Sequence, residues 1–181
     1  MKILGISGTI VGTKTRVLVE NVLEEILQMS SGIEEVDIEL LDLKDYNIQF
    51  CDGRDPATYT GDTKIVIDKV CCADAYIIGT PIFQGSMTGV LKNLFDLIPP
   101  TAFRKKVIGF VANGGTYQHF LVVENQLKPI GGYFRSYIAP GFVYAHSEHF
   151  DSTNQIVDQD VKIRIGELAK EVVSMSSYLR N

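Results

Sequence analysis

Short apolar runs, each too brief for a helix, take turns along this chain with longer segments that carry a single apolar stripe, and this alternation is what most limits the fold. Residues 2–6 read as a first strand, and residues 15–29 follow with Leu18, Val22 and Ile26 in one stripe and Val19, Leu23 and Leu27 beside it. Residues 36–43 set Val36, Ile38 and Leu40 against Asp37 and Glu39, so this second strand has a polar side and belongs near a sheet edge. A long loop over 45–62, with Gly53, Pro56 and Gly61, leads into a helix over 63–72. A strand over 75–79, a helix over 88–98 and a strand over 106–112 come next. Residues 117–130 have a helical pattern that Pro129 and Gly131-Gly132 should end. A fifth strand over 137–145 precedes a last helix, with Asp158 as N-cap and Val161, Ile165, Leu168 and Val172 inside. No internal repeat is evident.

About five strands alternating with five helices imply an α/β fold, a doubly wound parallel sheet with helices on both faces. The loops that follow the strands then share one edge of the sheet, where open α/β sheets bind their ligands.

A length of 181 residues fits one domain spanning 1–181, and 45% hydrophobic with 22% charged residues leaves no stretch that reads as a disordered linker. A net charge of −5 argues against nucleic acid as a partner, because neutralising phosphates needs clustered Lys and Arg and the one basic cluster is Arg104-Lys105-Lys106. No apolar run reaches the roughly 20 residues that cross a bilayer, so no membrane association is expected. Residues 1–6 are too short for the apolar core of a secretory leader, and a cytoplasmic protein is expected. Cys51, Cys71 and Cys72 lack the spacing of a zinc site or a redox pair and read as reduced thiols, with Cys71 and Cys72 buried on a helix and Cys51 in a polar loop.

Three of the loops at the shared edge carry chemistry. The first, Ser7-Gly-Thr-Ile-Val-Gly-Thr-Lys-Thr15, is rich in hydroxyls and glycine and opens a helix whose free N–H groups and dipole favour an anion. It lacks the spacing of a nucleoside-triphosphate loop, since Gly8 and Gly12 are too close and Thr13 separates Gly12 from Lys14, and it lacks Gly-x-Gly-x-x-Gly. A terminal monophosphate held by Ser7, Thr9, Thr13 and Thr15, with Lys14 as a nearby point charge, suits it; an ordinary capped turn is the competing reading. In the second loop, Pro81-Ile82-Phe83-Gln84-Gly85, backbone N–H groups and Gln84 can meet a flat ring while Ile82 and Phe83 exclude water, against the alternative of a core-packing turn. Pro81, which has no N–H for the ladder, should stop the strand before it. The third, Asn113-Gly114-Gly115-Thr116, can bring backbone donors close to a ring where negative charge develops, or be a plain strand-to-helix turn.

The stretch Gly79-Thr-Pro-Ile-Phe-Gln-Gly-Ser-Met-Thr-Gly-Val-Leu-Lys-Asn-Leu-Phe-Asp96 resembles the NADPH-dependent FMN reductase family of flavodoxin-like proteins. In that family a Thr/Ser-Pro-hydrophobic-aromatic loop followed by Gly-x-Leu-Lys-Asn holds the flavin ring. Ser7-Gly-Thr9 and Asn113-Gly-Gly-Thr116 fall where the family has its phosphate loop and second flavin loop, so the resemblance runs from residue 1 to about 144. Gly-Gly-Thr followed by Leu127-Lys-Pro129 is most similar to the branch that supplies reduced flavin to monooxygenases. The resemblance implies strand order 2-1-3-4-5, FMN as cofactor, NADPH or NADH as donor, and hydride transfer from nicotinamide to flavin. It also implies a homodimer or homotetramer, and a flavin-dependent monooxygenase as recipient. Family members often carry Arg at the position of Ile10, and Lys14 is the candidate to replace it here.

The cofactor carries the reactivity, so no catalytic acid or base is assigned. His119 reads as a helix-surface or supporting residue, and His146 and His149, on either side of Glu148, as a solvated loop in preference to metal ligands. The 45–62 loop reads as a lid, with Arg54 as partner for an NADPH phosphate. Residues 88–103 carry enough apolar surface to suggest an interface. Two other functions fit the same fold: an azo, quinone or chromate reductase with bound FMN, and a flavodoxin-type electron carrier, for which −5 is a modest charge.

Overall fold

The computed structural model describes residues 1–30 and 36–180, and in it five parallel strands stand in the order β2-β1-β3-β4-β5. The strands are β1 (Lys2–Ser7), β2 (Asp37–Asp42), β3 (Ala75–Pro81), β4 (Val107–Gly114) and β5 (Tyr137–His146), and the helices are α1 (Lys14–Ser30), α2 (Gly61–Cys72), α3 (Gly89–Leu97), α4 (Lys128–Tyr133) and α5 (Gln159–Arg180). The expected doubly wound order holds, with half-exposed β2 on one edge and β3, buried at every position, in the centre.

Because side chains alternate along a strand, each strand feeds two cores. Leu4, Ile6, Tyr76, Ile78, Ile108, Phe110 and Tyr144 face the side covered by α2, α3 and the segment around α4. Ile3, Ala75, Ile77, Val107, Val111 and Val143 face α1 and α5. On the second side Gly5 lies under Val19 and Leu23 of α1, and Gly109 under Leu168 and Val172 of α5. Those helices therefore ride close to the sheet. Asp158 caps α5 as expected, its Oδ1 accepting the Val161 N–H at 2.9 Å, and Val161, Ile165, Leu168 and Val172 are buried.

Four expectations need correction. β3 does not stop at Gly79: it pairs through Thr80 and Pro81 with Ala112 and Asn113, because a proline at the last position forfeits no bond the ladder needs. The helix after β4 is not one run ending before Gly131. It is a 3-10 turn over Tyr117–Phe120, a π turn over Val123–Leu127 and then α4, which continues through Gly131-Gly132 to Tyr133. Pro129 falls in the first turn of α4, where its missing N–H costs nothing. Cys71 is half-buried as a small hydrophobe, whereas Cys72 is exposed. Finally, the apolar residues of 88–103 do not form an exposed patch: Leu91, Leu94, Phe95, Leu97, Ile98 and Phe103 are buried, and Phe134 closes over Phe103 edge-on at 5.1 Å.

Candidate active site at the carboxyl edge of the sheet

The loops after β1, β3 and β4 meet at the carboxyl ends of the strands, and hydrogen bonds join them directly. The Gly8 N–H donates to the Gly79 carbonyl at 2.8 Å, and the Thr88 hydroxyl donates to the Gly8 carbonyl at 2.5 Å while accepting the Leu91 N–H as the N-cap of α3. The Ile82 N–H donates to the Asn113 carbonyl at 2.7 Å, and the Thr15 hydroxyl donates to Asn113 Oδ1 at 2.6 Å. Sequence positions 8, 15, 82, 88 and 113 are thus held as one surface across the β1–β3 crevice.

In the first loop the Thr13 carbonyl takes the Val17 N–H, so α1 begins there and its leading N–H groups have no partners within the helix. No acidic residue occupies its first turn. The hydroxyls differ in what they already do. Thr9 closes on its own loop through Val11, Thr13 accepts from Asn154 Nδ2 at 3.0 Å, and Thr15 is spent on Asn113. Ser7 Oγ is fully buried with no partner, a polar atom that costs free energy until something bonds it. An anion at the start of α1 is such a partner, so the residues present fit a bound phosphate. Lys14 is turned toward the segment after β5, its ammonium 5.1 Å from the centre of the Phe150 ring, and Ile10 is exposed.

The second loop is a two-residue hairpin. Phe83 and Ser86 exchange backbone bonds of 2.9 and 3.0 Å, and Gln84 (φ 50°) and Gly85 (φ 75°) both lie in the left-handed region, as a type I′ turn requires. Pro81 is the last strand residue and Ile82 belongs to the core, so neither side chain faces solvent. Phe83 is 47% exposed and Gln84 and Gly85 form the tip. Two residues that the sequence did not single out support this hairpin: Ser86 Oγ donates to Gln126 Oε1 at 2.7 Å, and Gln126 Nε2 donates to the Gly85 carbonyl at 3.2 Å.

In the third loop Asn113 and Gly114 are the last residues of β4, opposite Ala145 and His146, while Gly115 and Thr116 are exposed. The Tyr144 hydroxyl, whose pKa burial pushes up, donates to the Thr116 carbonyl at 2.5 Å. His119 is half-buried beside Gly114 with Nδ1 unpartnered, and His146 stacks on His149 with ring centres 3.9 Å apart. Burial, with His146 adding to it, lowers the His149 pKa. Among the described residues no cluster of His, Cys, Asp or Glu is arranged to hold a metal ion.

A cavity of about 400 Å³ opens beside Phe83, lined by Ile10, Tyr46, Phe50, Val90 and Asn93 among others. The 45–62 loop therefore does border the site, but it is firmly braced. Asn93 accepts the Cys51 N–H and donates to the Gln49 carbonyl, both at 2.9 Å, and Asp62 and Thr63 take the N–H groups of Asn47 and Gln49. The Lys92-Asn93 pair serves this loop and Asp96. Arg54 lies over the Tyr59 ring, paired with Asp52 and holding that carboxyl far below the ordinary range, and it lines a separate cavity with Phe95 and Tyr133.

A family model described as NADPH-dependent FMN reductase matches residues 1–150. A protein of Geobacillus thermodenitrificans (strain NG80-2) named NAD(P)H-dependent FAD/FMN reductase is 61% identical over 181 residues, covering 100% of this chain and 96% of its own. A Pseudomonas aeruginosa protein (strain PAO1) named FMN reductase (NADPH) is 33% identical over 166 residues, covering 91% and 86%. The crystal structure of an oxidoreductase from Corynebacterium diphtheriae shares the fold at a TM-score of 0.80 and 22% identity, over 98% of this chain and 97% of that one. No helix among the described residues is long and apolar enough to cross a membrane. The chain belongs to the NADPH-dependent FMN reductase family, oxidoreductases that pass electrons from NAD(P)H to flavin.

Proposed function

We propose that residues 1–181 act as one reductase unit whose three joined loops hold FMN, with the phosphate at the start of α1 and the ring between the hairpin and the loop after β4. The observation that carries this reading is that Thr15, in the first turn of α1, bonds Asn113 at the end of β4, while Ser7 at the end of β1 keeps a buried, unpartnered hydroxyl and no acidic residue occupies the first turn of α1. Ser7, Thr9, Thr13 and Thr15 supply hydroxyls, Lys14 a charge at the rim, Pro81 and Ile82 a rigid base for Phe83, Gln84 and Gly85, and Asn113, Gly114, Gly115 and Thr116 the donors at the far end of the ring. Bound flavin supplies the two-electron chemistry; the side chains bind, orient and keep water away.

The cavity beside Phe83 is wide enough for a second flat ring, and we assign it to the nicotinamide. Steady-state oxidation of NADPH and NADH with FMN, FAD, a quinone and an azo dye in turn tests the choice of acceptor. Flavin should be used best, and a clear preference for the quinone or the dye would overturn it. Stopped-flow reduction of bound flavin by Phe83→Ala and Gln84→Ala tests the placement of the ring. Wild-type rates in both at saturating NADPH would refute it, because displacement of reacting atoms by about 1 Å costs up to 100-fold.

A cytoplasmic location belongs to the same reading and is supported by three free thiols. So does a homodimer or homotetramer, supported by the family resemblance and by exposed Phe50 at the cavity beside Phe83 and exposed Tyr133 at the Arg54 cavity; a flavin-dependent monooxygenase is the proposed recipient. Light scattering that gave a monomer mass at every concentration with FMN present would exclude the oligomer.

A further inference from the structure

The Gln126 that supports the hairpin belongs to the π turn over Val123–Leu127. Its hydrogen bond spans five residues, from the Lys128 N–H to the Val123 carbonyl, which places one more residue in the turn than an α-helix holds. The occupants divide sharply. Val123 and Leu127 are buried in the core and anchor the turn. Glu124 pairs with Lys128 at 2.6 Å, and Asn125 Nδ2 bonds the Leu121 carbonyl at 3.0 Å, so both stay on their own segment. Gln126 alone of the five bonds another element. Its amide accepts from the Ser86 hydroxyl at 2.7 Å and donates to the Gly85 carbonyl at 3.2 Å, forty and forty-one residues away in sequence.

The hairpin needs such a brace. It has two residues at its turn, two backbone bonds, and a non-glycine residue, Gln84, at φ 50°. A two-stranded hairpin is marginal by itself in water, and a left-handed non-glycine residue adds strain. Both arms of the Gln126 amide are used, one on a side chain and one on the backbone, so the turn is fixed in distance and in rotation about its own axis. The exposed Phe83 ring moves with it.

We propose that Gln126 is a positioning residue for electron transfer: the π turn aims it at the hairpin, and it holds Phe83 and Gln84 in the plane against which the flavin ring lies. This rests on the hairpin being the ring platform. Gln126 touches neither flavin nor nicotinamide; it acts through Ser86 and Gly85. It should therefore alter how the ring is held without altering how the phosphate is held.

Gln126→Leu keeps the size and loses both bonds, Gln126→Glu keeps the acceptor for Ser86 and loses the donor to Gly85, and Ser86→Ala removes one bond from the other side. Four readouts apply to purified holoprotein and its flavin complexes: the limiting rate of flavin reduction at saturating NADPH, the KM for NADPH, the visible spectrum of bound FMN, and the affinities for FMN and for riboflavin, which has no phosphate. In Gln126→Leu the limiting rate should fall about tenfold, as for a small misplacement of reacting groups. The FMN band should shift, the KM for NADPH should change little, and FMN and riboflavin should weaken by the same factor. Gln126→Glu should fall between wild type and Gln126→Leu, and Ser86→Ala should add nothing further to Gln126→Leu.

If Phe83→Ala slows reduction while Gln126→Leu and Ser86→Ala keep the wild-type rate and spectrum, the brace is overturned and the platform stands. If Phe83→Ala is also without effect, the platform falls and the brace with it. Additive losses in the Ser86→Ala, Gln126→Leu double variant also overturn the proposal, since they would mean that the two residues act separately.

Discussion

The Thr15 hydroxyl has one proton and two claims on it, and Thr15→Val separates them. Without flavin that proton goes to Asn113 Oδ1 at 2.6 Å, while the methyl group packs 3.1 Å from where a Gly79 Cβ would stand. Valine keeps the methyl contact and removes the proton. Loss of a neutral hydrogen bond costs about 0.5–1.5 kcal/mol, and leaving a buried acceptor unpaired about 1–3 kcal/mol. Asn113 is half-exposed, so water can partly replace the donor and about 1–2 kcal/mol is expected. At about 2–4 °C per kcal/mol for a domain of this size, the flavin-free protein should melt roughly 2–8 °C lower. Urea titration of Thr15→Val, Asn113→Ala and the double variant gives the coupling energy directly, and additive losses would show that the two side chains do not share a bond. The second claim is read by affinity. FMN should weaken by about 1–3 kcal/mol if a charge-assisted bond to the phosphate is lost, and riboflavin much less. Equal losses for FMN and riboflavin would remove Thr15 from the phosphate site, and Thr15→Ser should restore both properties in large part.

Three further outcomes are expected. Asn93→Ala should leave two backbone groups of the 45–62 loop without partners, cost about 2–3 kcal/mol, and speed amide exchange over residues 49–51; unchanged exchange there would show that Asn93 is not the brace. Tyr76→Phe removes a buried hydroxyl that donates to the Val70 carbonyl at 2.6 Å and accepts from Lys106 at 3.1 Å, so a loss of about 1–3 kcal/mol is expected in urea titrations, and a loss below 0.5 would contradict it. His149 has a folded pKa below its unfolded value, so the unfolded chain binds more protons, and stability is present above about pH 6.5 and lost as pH falls through that value toward the folded pKa. The urea midpoint of wild type should fall between pH 7.5 and 5.5 by more than that of His149→Asn; parallel curves would refute the assignment.

Most of the strands were legible as short apolar runs between polar turns, as Ala75 to Ile78 shows, and β2 by its alternation of Val36, Ile38 and Leu40 with Asp37 and Glu39. Their order was not in those runs, since nothing local says whether β1 pairs with β2, β3 or both; it came with the resemblance to a known fold. The three loops were legible as a set because Gly, Thr and Asn after a strand are unusual company for a sealed core. What each hydroxyl does was not. Thr9, Thr13 and Thr15 look alike in sequence, yet one closes on its own loop, one meets Asn154 and one meets Asn113, and the last two partners lie 141 and 98 residues away. The π turn was hidden for a related reason: its apolar positions, Val123 and Leu127, are four apart and satisfy an ordinary helix. Nothing in that pattern singles out Gln126. The expected patch over 88–103 failed because Phe134, far along the chain, covers Phe103.

The glycines beneath α1 and α5 bear on any effort to make this protein more heat-resistant. Gly5, Gly79 and Gly109 have none of the positive φ angles that demand glycine, so replacing them with alanine looks profitable: a compatible site gains about 0.4–1 kcal/mol by stiffening the unfolded chain. Space forbids it. A methyl at Gly79 would stand 2.6 Å from Val19 and 3.1 Å from Thr15, and one at Gly5 would stand 2.7 Å from Val19. Something must shift, and along this face that is α1, whose leading end is the proposed phosphate seat. A thermostability screen scored on melting alone could reward a compensated lift of the helix and discard the cofactor without noticing. Such screens belong in the presence of limiting FMN, where the height of α1 above the sheet is itself under selection.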